Sequence, residues 1–182
     1  MKFEKVFIEG LLLITPDVHK DARGFFYESF NKKKFTEGGI DLNFVQDNIS
    51  KSSKGTIRGL HYQSGKFAQG KLCTVVEGKV LDVALDIRHG SPTFGKYFSV
   101  ELNDETKNQL WIPPGFAHGF SVLSDYAIFS YKCTSLYEPQ SERTILFSDS
   151  DLNINWIVED PVVSEKDMKG TPFKKIEKDF NY

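Results

Sequence analysis

Leu72-Cys73-Thr74-Val75-Val76-Glu77-Gly78-Lys79-Val80-Leu81-Asp82-Val83-Ala84-Leu85-Asp86-Ile87 carries the plainest structural signal in the chain. Its opening residues favour extended backbone, Glu77-Gly78-Lys79 is a turn, and beyond it Leu81, Val83, Leu85 and Ile87 alternate with Asp82, Ala84 and Asp86. Alternation with period two sets one group on each face of a pleated strand, so the stretch predicts two strands joined as a hairpin. Further strand-like runs lie at 6–14, 24–30, 43–50, 56–63, 96–102, 109–112, 119–123, 127–134 and 143–148, bounded by Gly, Pro, Asn, Asp or Ser. So many short strands predict an all-β, closed or double-sheet architecture. Helices are expected only as short pieces, at 31–37 and near 164–169, and residues 173–182 read either as a helix or as a loosely ordered tail.

The 182 residues suit one domain, 1–182. With 40% hydrophobic residues and 16 Phe, the chain can build an aromatic interior without disulfide staples. A formal charge of −2 offers polyanions no long-range attraction, which argues against nucleic acid or an acidic membrane as partner. The cysteines, Cys73 and Cys133, lack zinc-ligand or thiol-exchange spacing and read as buried thiols. The apolar run Leu11 to Ile14 is too short for a signal-peptide core or a membrane span, so the expected location is the cytoplasm.

Chemistry must come from few residues. His19 and His89 sit among loop formers and are assigned nothing. His61 lies in Thr56-Ile57-Arg58-Gly59-Leu60-His61-Tyr62-Gln63, a strand carrying Arg, His and Gln in an apolar setting, where a polar group must be paired or useful. Strict alternation puts Ile57, Gly59, His61 and Gln63 on one face and Arg58 on the other. A bulge at Gly59 would re-aim Arg58 toward His61, and an unbroken ladder there would refute it. His118 follows the rigid Ile112-Pro113-Pro114-Gly115-Phe116-Ala117 and is either a turn histidine held by backbone or a site residue. Tyr131 shares a face with Ala127, Phe129 and Cys133, and an inward phenol needs a partner or a task. A metal-binding cupin needs two histidines one residue apart, but position 63 is Gln63, so no metal is expected. No Gly-rich phosphate loop or Gly-x-Ser-x-Gly elbow occurs either, which leaves acid/base chemistry without a cofactor.

Six segments taken together, DARGFFYESF (21–30), FVQDNIS (44–50), TIRGLHYQ (56–63), LWIPPGFAHGF (110–120), YKCTSLYEP (131–139) and SEKD (164–167), resemble the dTDP-4-dehydrorhamnose 3,5-epimerase family, in family order across most of the chain. The resemblance implies a cupin-type jelly-roll β-barrel with short peripheral helices, working as a homodimer without metal. It implies conversion of dTDP-4-dehydro-6-deoxy-D-glucose to dTDP-4-dehydro-L-rhamnose, a precursor of surface polysaccharide. By the same resemblance His61 is the base, Asp167 its carboxylate partner, Lys71 the cation facing the sugar's keto oxygen, and Tyr131 the acid on the opposite side. Arg23 and Arg58 match phosphate-contacting arginines. Glu28, Gln46, Asp47, Asn48, His118, Glu142 and Lys166 match other ligand contacts, while Phe26 and Tyr137 are candidates for packing on the base. Arg23, Phe26 and Glu28 are the residues a partner subunit would supply. The rival readings are an epimerase acting at one carbon only, a ketoisomerase on a similar barrel and a non-catalytic nucleotide-sugar-binding cupin.

Overall fold

The turn at Glu77-Gly78-Lys79 does not close a hairpin. In the computed structural model, which describes residues 1–182, the strands on its two sides belong to different sheets. In chain order the strands are β1 (Lys2–Lys5), β2 (Leu12–Thr15), β3 (His19–Asp21), β4 (Gly24–Phe26), β5 (Gln46–Ser53), β6 (Thr56–Gln63) and β7 (Lys71–Glu77). There follow β8 (Lys79–Asp86), β9 (Tyr97–Asn103), β10 (Gln109–Ile112), β11 (Phe116–Val122), β12 (Tyr126–Cys133), β13 (Glu142–Thr144) and β14 (Val162–Val163). One sheet runs β1-β2-β10-β7-β12-β5, the other β13-β6-β11-β8-β9 with β14 beside β6, and β3 pairs only with β4. This is the all-β, two-sheet barrel expected, with helices confined to α1 (Lys32–Glu37), α2 (Glu165–Met168) and 3-10 turns.

The expected hairpin fails because period-two alternation reveals a strand but not its neighbour. Gly78 N–H donates to the Asp104 carboxylate at 2.7 Å and Lys79 N–H to Ser124 Oγ at 2.8 Å, so other loops satisfy the turn. A Cβ at Gly78 would lie 2.2 Å from the Tyr126 carbonyl oxygen, and φ there is +85°, so the crossing between sheets needs glycine. Beyond it β8 is buried on both faces. Val80 and Ala84 join the core between the sheets, with Ile8, Leu110, Phe120 and Phe129. Leu81, Val83 and Leu85 pack outward under Ile145, Leu152 and Trp156. A third cluster, Ile14, Phe35, Ile40, Leu72 and Trp111, seats α1 on the back of the first sheet.

The expected strand at 6–14 is also corrected. β1 and β2 pair as a hairpin, and the residues between them form a turn whose Ile8 and Leu11 plug the core. Residues 173–182 lie along the second sheet, where Tyr62 donates to Asp179 at 3.0 Å and Asn181 bridges His89. No helix is long and apolar enough to cross a membrane.

The ladder at Gly59 is broken as the bulge requires. His118 faces His61 and Phe120 faces Arg58, so two steps along β11 oppose three along β6. The extra residue turns Arg58 and His61 to the same side. Close backbone approach permits this, since a Cβ on Gly59 would meet Gly119 Cα at 2.5 Å. A Cβ on Gly119 would in turn sit 2.8 Å from the Arg58 carbonyl oxygen. Gly119→Ala is therefore expected to destabilise the protein by roughly 1–3 kcal/mol, the usual cost of overpacking, as read from urea unfolding midpoints. An unchanged midpoint would show that the two strands can separate freely.

Candidate active site

One end of the barrel opens into a cavity of about 220 Å³, and the two sheets supply opposite walls. From the second sheet come Arg58, His61 and His118, and from the first Gln46, Asn48, Lys71 and Tyr131. His61 and Tyr131 therefore approach the cavity from facing sheets, which typically lie ~10 Å apart. Both line the one cavity between those walls.

The imidazole of His61 is held by Asp167. Nε2 lies 2.6 Å from Asp167 Oδ1, and Gly59 N–H donates to Oδ2 at 3.2 Å. Ser164, the N-cap of α2, accepts from Asp167 N–H, so the one-turn helix exists to set this carboxylate. Burial works to raise the Asp167 carboxyl, but hydrogen bonds from His61, Gly59 and Ser164 outweigh it and hold it below its ordinary 3.8. The carboxylate fixes one ring nitrogen and leaves Nδ1 to act on a ligand. A carboxyl lowered in the folded state adds stability above its unfolded pKa and loses it as pH falls through the folded value. The stability gap between the natural protein and Asp167→Asn is thus expected to be constant above about pH 5 and to shrink below it. Denaturant unfolding at several pH values reads this; a gap that widens in acid would contradict the pairing.

Across the cavity, burial pushes the Tyr131 phenol up to about 12, so it keeps its proton near neutrality. Lys71 is buried at the head of β7, its Nζ 3.4 Å from the His61 carbonyl oxygen. Burial lowers its ammonium, while the neighbouring Cys133, Cys73 and Glu142 act in the opposite sense. A cation in so dry a place stabilises an oxyanion far better than one in water.

The rim is tied by hydrogen bonds. Gln46 Oε1 accepts from Tyr137 N–H at 2.8 Å, Tyr137 Oη donates to Glu142 at 2.9 Å, and Lys166 pairs with Glu142 at 2.5 Å. Burial works to raise the Glu142 carboxyl, but Lys166 and Tyr137 prevail and lower it. Arg58 Nε donates to Ser52 Oγ at 3.0 Å. Gln63, the residue that breaks the cupin ligand pair, donates to Phe67 and Leu136 carbonyls and accepts from Glu138 N–H, which anchors the loop carrying Tyr137.

Four of the candidate residues lie elsewhere. Arg23, with its side chain 90% exposed, forks onto Asp21 in the β3–β4 arm, and Phe26 on the same arm is 68% exposed. Glu28 pairs with Lys34 of α1, and Asp47 pairs with Lys132 at 2.9 Å beside a separate hollow. Within one chain these do not reach the cavity. Sequence reasoning missed Gln69, Phe120 and Asp82. Gln69 and Phe120 line the cavity, and Asp82 stands behind His118. Phe120 carried a signal, since it lies two residues beyond His118 on the same strand.

Cys73, Asp82 and His118 bring one donor atom each within 4.8 Å of one another. As a metal site they fit poorly. His118 Nε2 and Asp82 Oδ1 stand 2.5 Å apart, a hydrogen-bond separation with no space for an ion between them. Burial also pushes the Cys73 thiol well up, against the thiolate a metal requires.

Comparison with known proteins gives the family. The sequence profile described as dTDP-4-dehydrorhamnose 3,5-epimerase matches residues 5–175. An enzyme of that name from Shigella flexneri is 55% identical over 174 residues, 95% of this chain and 96% of its own. The crystal structure of a dTDP-6-deoxy-D-glucose-3,5-epimerase from Legionella pneumophila Philadelphia 1, in complex with dTDP-4-keto-L-rhamnose, superposes with a TM-score of 0.96 at 49% identity, covering 100% of this chain and 98% of that one. ChmJ, a 3'-monoepimerase from Streptomyces bikiniensis in complex with dTDP-quinovose, superposes with a TM-score of 0.88 at 34% identity, covering 93% and 86%.

Proposed function

The chain belongs to the dTDP-4-dehydrorhamnose 3,5-epimerase family and is an isomerase, and from that premise we propose that His61 and Tyr131 invert carbons 3 and 5 of dTDP-4-dehydro-6-deoxy-D-glucose. Carbons 3 and 5 flank the carbonyl at carbon 4, so a proton lost from either leaves an enolate on the same oxygen. His61 Nδ1 takes the proton, with Asp167 stabilising the imidazolium at Nε2. Lys71 faces the enolate oxygen. Tyr131 returns a proton from the opposite wall; its phenolate, more basic than usual because the phenol is raised, then recovers a proton from solvent while the His61 imidazolium releases to solvent the proton it took. Repetition at the second carbon completes the double inversion. The single observation that carries this reading is that base and acid enter one cavity from opposite sheets.

In this proposal Arg58 takes the diphosphate and Tyr137 packs on the thymine, with Gln46, Asn48, His118, Glu142 and Lys166 as further contacts. The projecting arm supports a homodimer whose sites are shared. Its Arg23, Phe26 and Glu28 lie outside their own cavity and would serve a partner's. Mixing Arg23→Ala with His61→Asn protein after subunit exchange is then expected to restore activity that neither variant has alone. No gain on mixing would remove the shared site. The proposed place of the reaction is the cytoplasm.

The greater similarity to 3,5-epimerases than to the monoepimerase favours action at both carbons. Turnover in heavy water, followed by proton NMR, tests this directly. The expected product keeps its carbon-4 ketone and carries deuterium at carbons 3 and 5. Deuterium at one carbon alone would make the protein a single-position epimerase, and no exchange at all would leave only a binding cupin.

A further inference from the structure

Asp82 is fully buried on the inner face of β8, and its Oδ2 has no hydrogen-bond partner. Its other oxygen lies 2.5 Å from His118 Nε2. A carboxylate held in an aromatic core by so few bonds costs stability, so its presence asks for a task. Phe129 and Phe120, stacked on each other at 4.3 Å, lie on one side of the His118 ring, Phe129 at 5.9 Å and 17° and Phe120 tilted at 6.5 Å. Apolar contacts of this kind do not decide which nitrogen bears the proton. Cys73 Sγ stands 3.6 Å from the same Nε2. A thiol there can donate as well as accept, so only Asp82, an obligate acceptor when ionised, selects a tautomer.

We propose that Asp82 is a positioning residue that accepts the Nε2–H of His118 and so presents Nδ1 to the cavity as an acceptor for a hydroxyl of the nucleotide-linked sugar. The proposal rests on the epimerase reading for the identity of the ligand, and the pairing itself stands on the geometry above. A second carboxylate–imidazole pair thereby backs the first across the β6–β11 ladder, where His118 faces His61. His61–Asp167 moves protons, and Asp82–His118 orients the ring over which they move.

Two measurements test it. Nitrogen-15 NMR of the natural protein, with no substitution to disturb folding, is expected to show His118 protonated at Nε2 and bare at Nδ1. The Nδ1 resonance should then move when dTDP-4-dehydro-6-deoxy-D-glucose is added. A proton on Nδ1 with Nε2 bare, or an Nδ1 signal indifferent to the sugar, overturns the proposal whatever the protein catalyses. Separately, kcat/KM is compared for the natural protein, Asp82→Asn, His118→Asn and the double variant. Asp82→Asn alone is expected to lose on the order of 10–100-fold, the range when an orienting partner of a working histidine is removed, and to lose nothing more once His118 is Asn. Equal losses in both backgrounds would make Asp82 a purely structural group and overturn the proposal. Should the natural protein itself not epimerise, the functional reading fails while the NMR result still decides the role of Asp82.

Discussion

His61→Asn is expected to lower turnover on the order of 10²–10⁴-fold, the range for removing a positioned general base. The loss should fall on kcat, with dTDP affinity little changed, because in the proposed mechanism the imidazole works on the sugar while Arg58 and the rim hold the nucleotide. Asparagine keeps much of the side-chain volume and can still face Asp167, so the fold should survive and the melting temperature serves as the control. Heavy-water exchange at carbons 3 and 5 should fall in parallel with turnover. Exchange at the natural rate in this variant would mean that another group removes the protons. Isothermal titration with dTDP, set beside the exchange rate, separates a lost base from a lost binding site.

Tyr131→Phe should cost a similar 10²–10⁴-fold in product formation, but with a different signature. The base is intact, so carbons 3 and 5 of the substrate should still lose their protons, and His61 can return deuterium only to the face it was taken from. Recovered substrate would then carry deuterium without inversion. The natural phenol, raised to about 12 by burial, is protonated across the working range, so its loss cannot be mimicked by mild alkali. A variant with neither exchange nor product would instead assign Tyr131 to binding or to proton removal.

The difference between these two outcomes follows from the topology, and parts of that topology were legible in the chain. β6 at 56–63 and β10 at 109–112 coincide with the runs read from alternation, and the bulge at Gly59 follows from the need to bring Arg58 and His61 to one face. Turn residues mark where strands end, which is a local property. Which strand lies next to which is not local, so Gly78 read as a hairpin although its backbone is satisfied by Asp104 and Ser124. The run at 6–14 misled for a related reason. Ile8 and Leu11 are buried from a turn, and burial alone does not distinguish turn from strand.

The site divides in the same way. His61 and Tyr131 stood out because a polar group on an otherwise apolar strand is conspicuous, whereas Lys71, at a strand end, was assigned only through family resemblance. Asp167 was reachable only through family resemblance, since it sits 106 residues from His61 on a helix of one turn. Asp82 was hidden by its pattern. In an alternating strand it reads as a solvent-facing carboxylate, yet the C-terminal segment covers the other face and makes the Asp82 side the barrel interior. Arg23 and Phe26 lie on an exposed arm outside their own cavity, and the role proposed for it needs a second chain, which no pattern within one chain records.

The central claim is that an imidazole and a phenol flank one sugar ring from opposite walls. A crystal structure with a bound dTDP-4-keto sugar measures this most directly. The expected result is His61 Nδ1 against one face of the ring at carbons 3 and 5 and Tyr131 Oη against the other, with Lys71 Nζ at the keto oxygen. Both side chains on the same face, or a sugar bound outside the space between the two sheets, would contradict it.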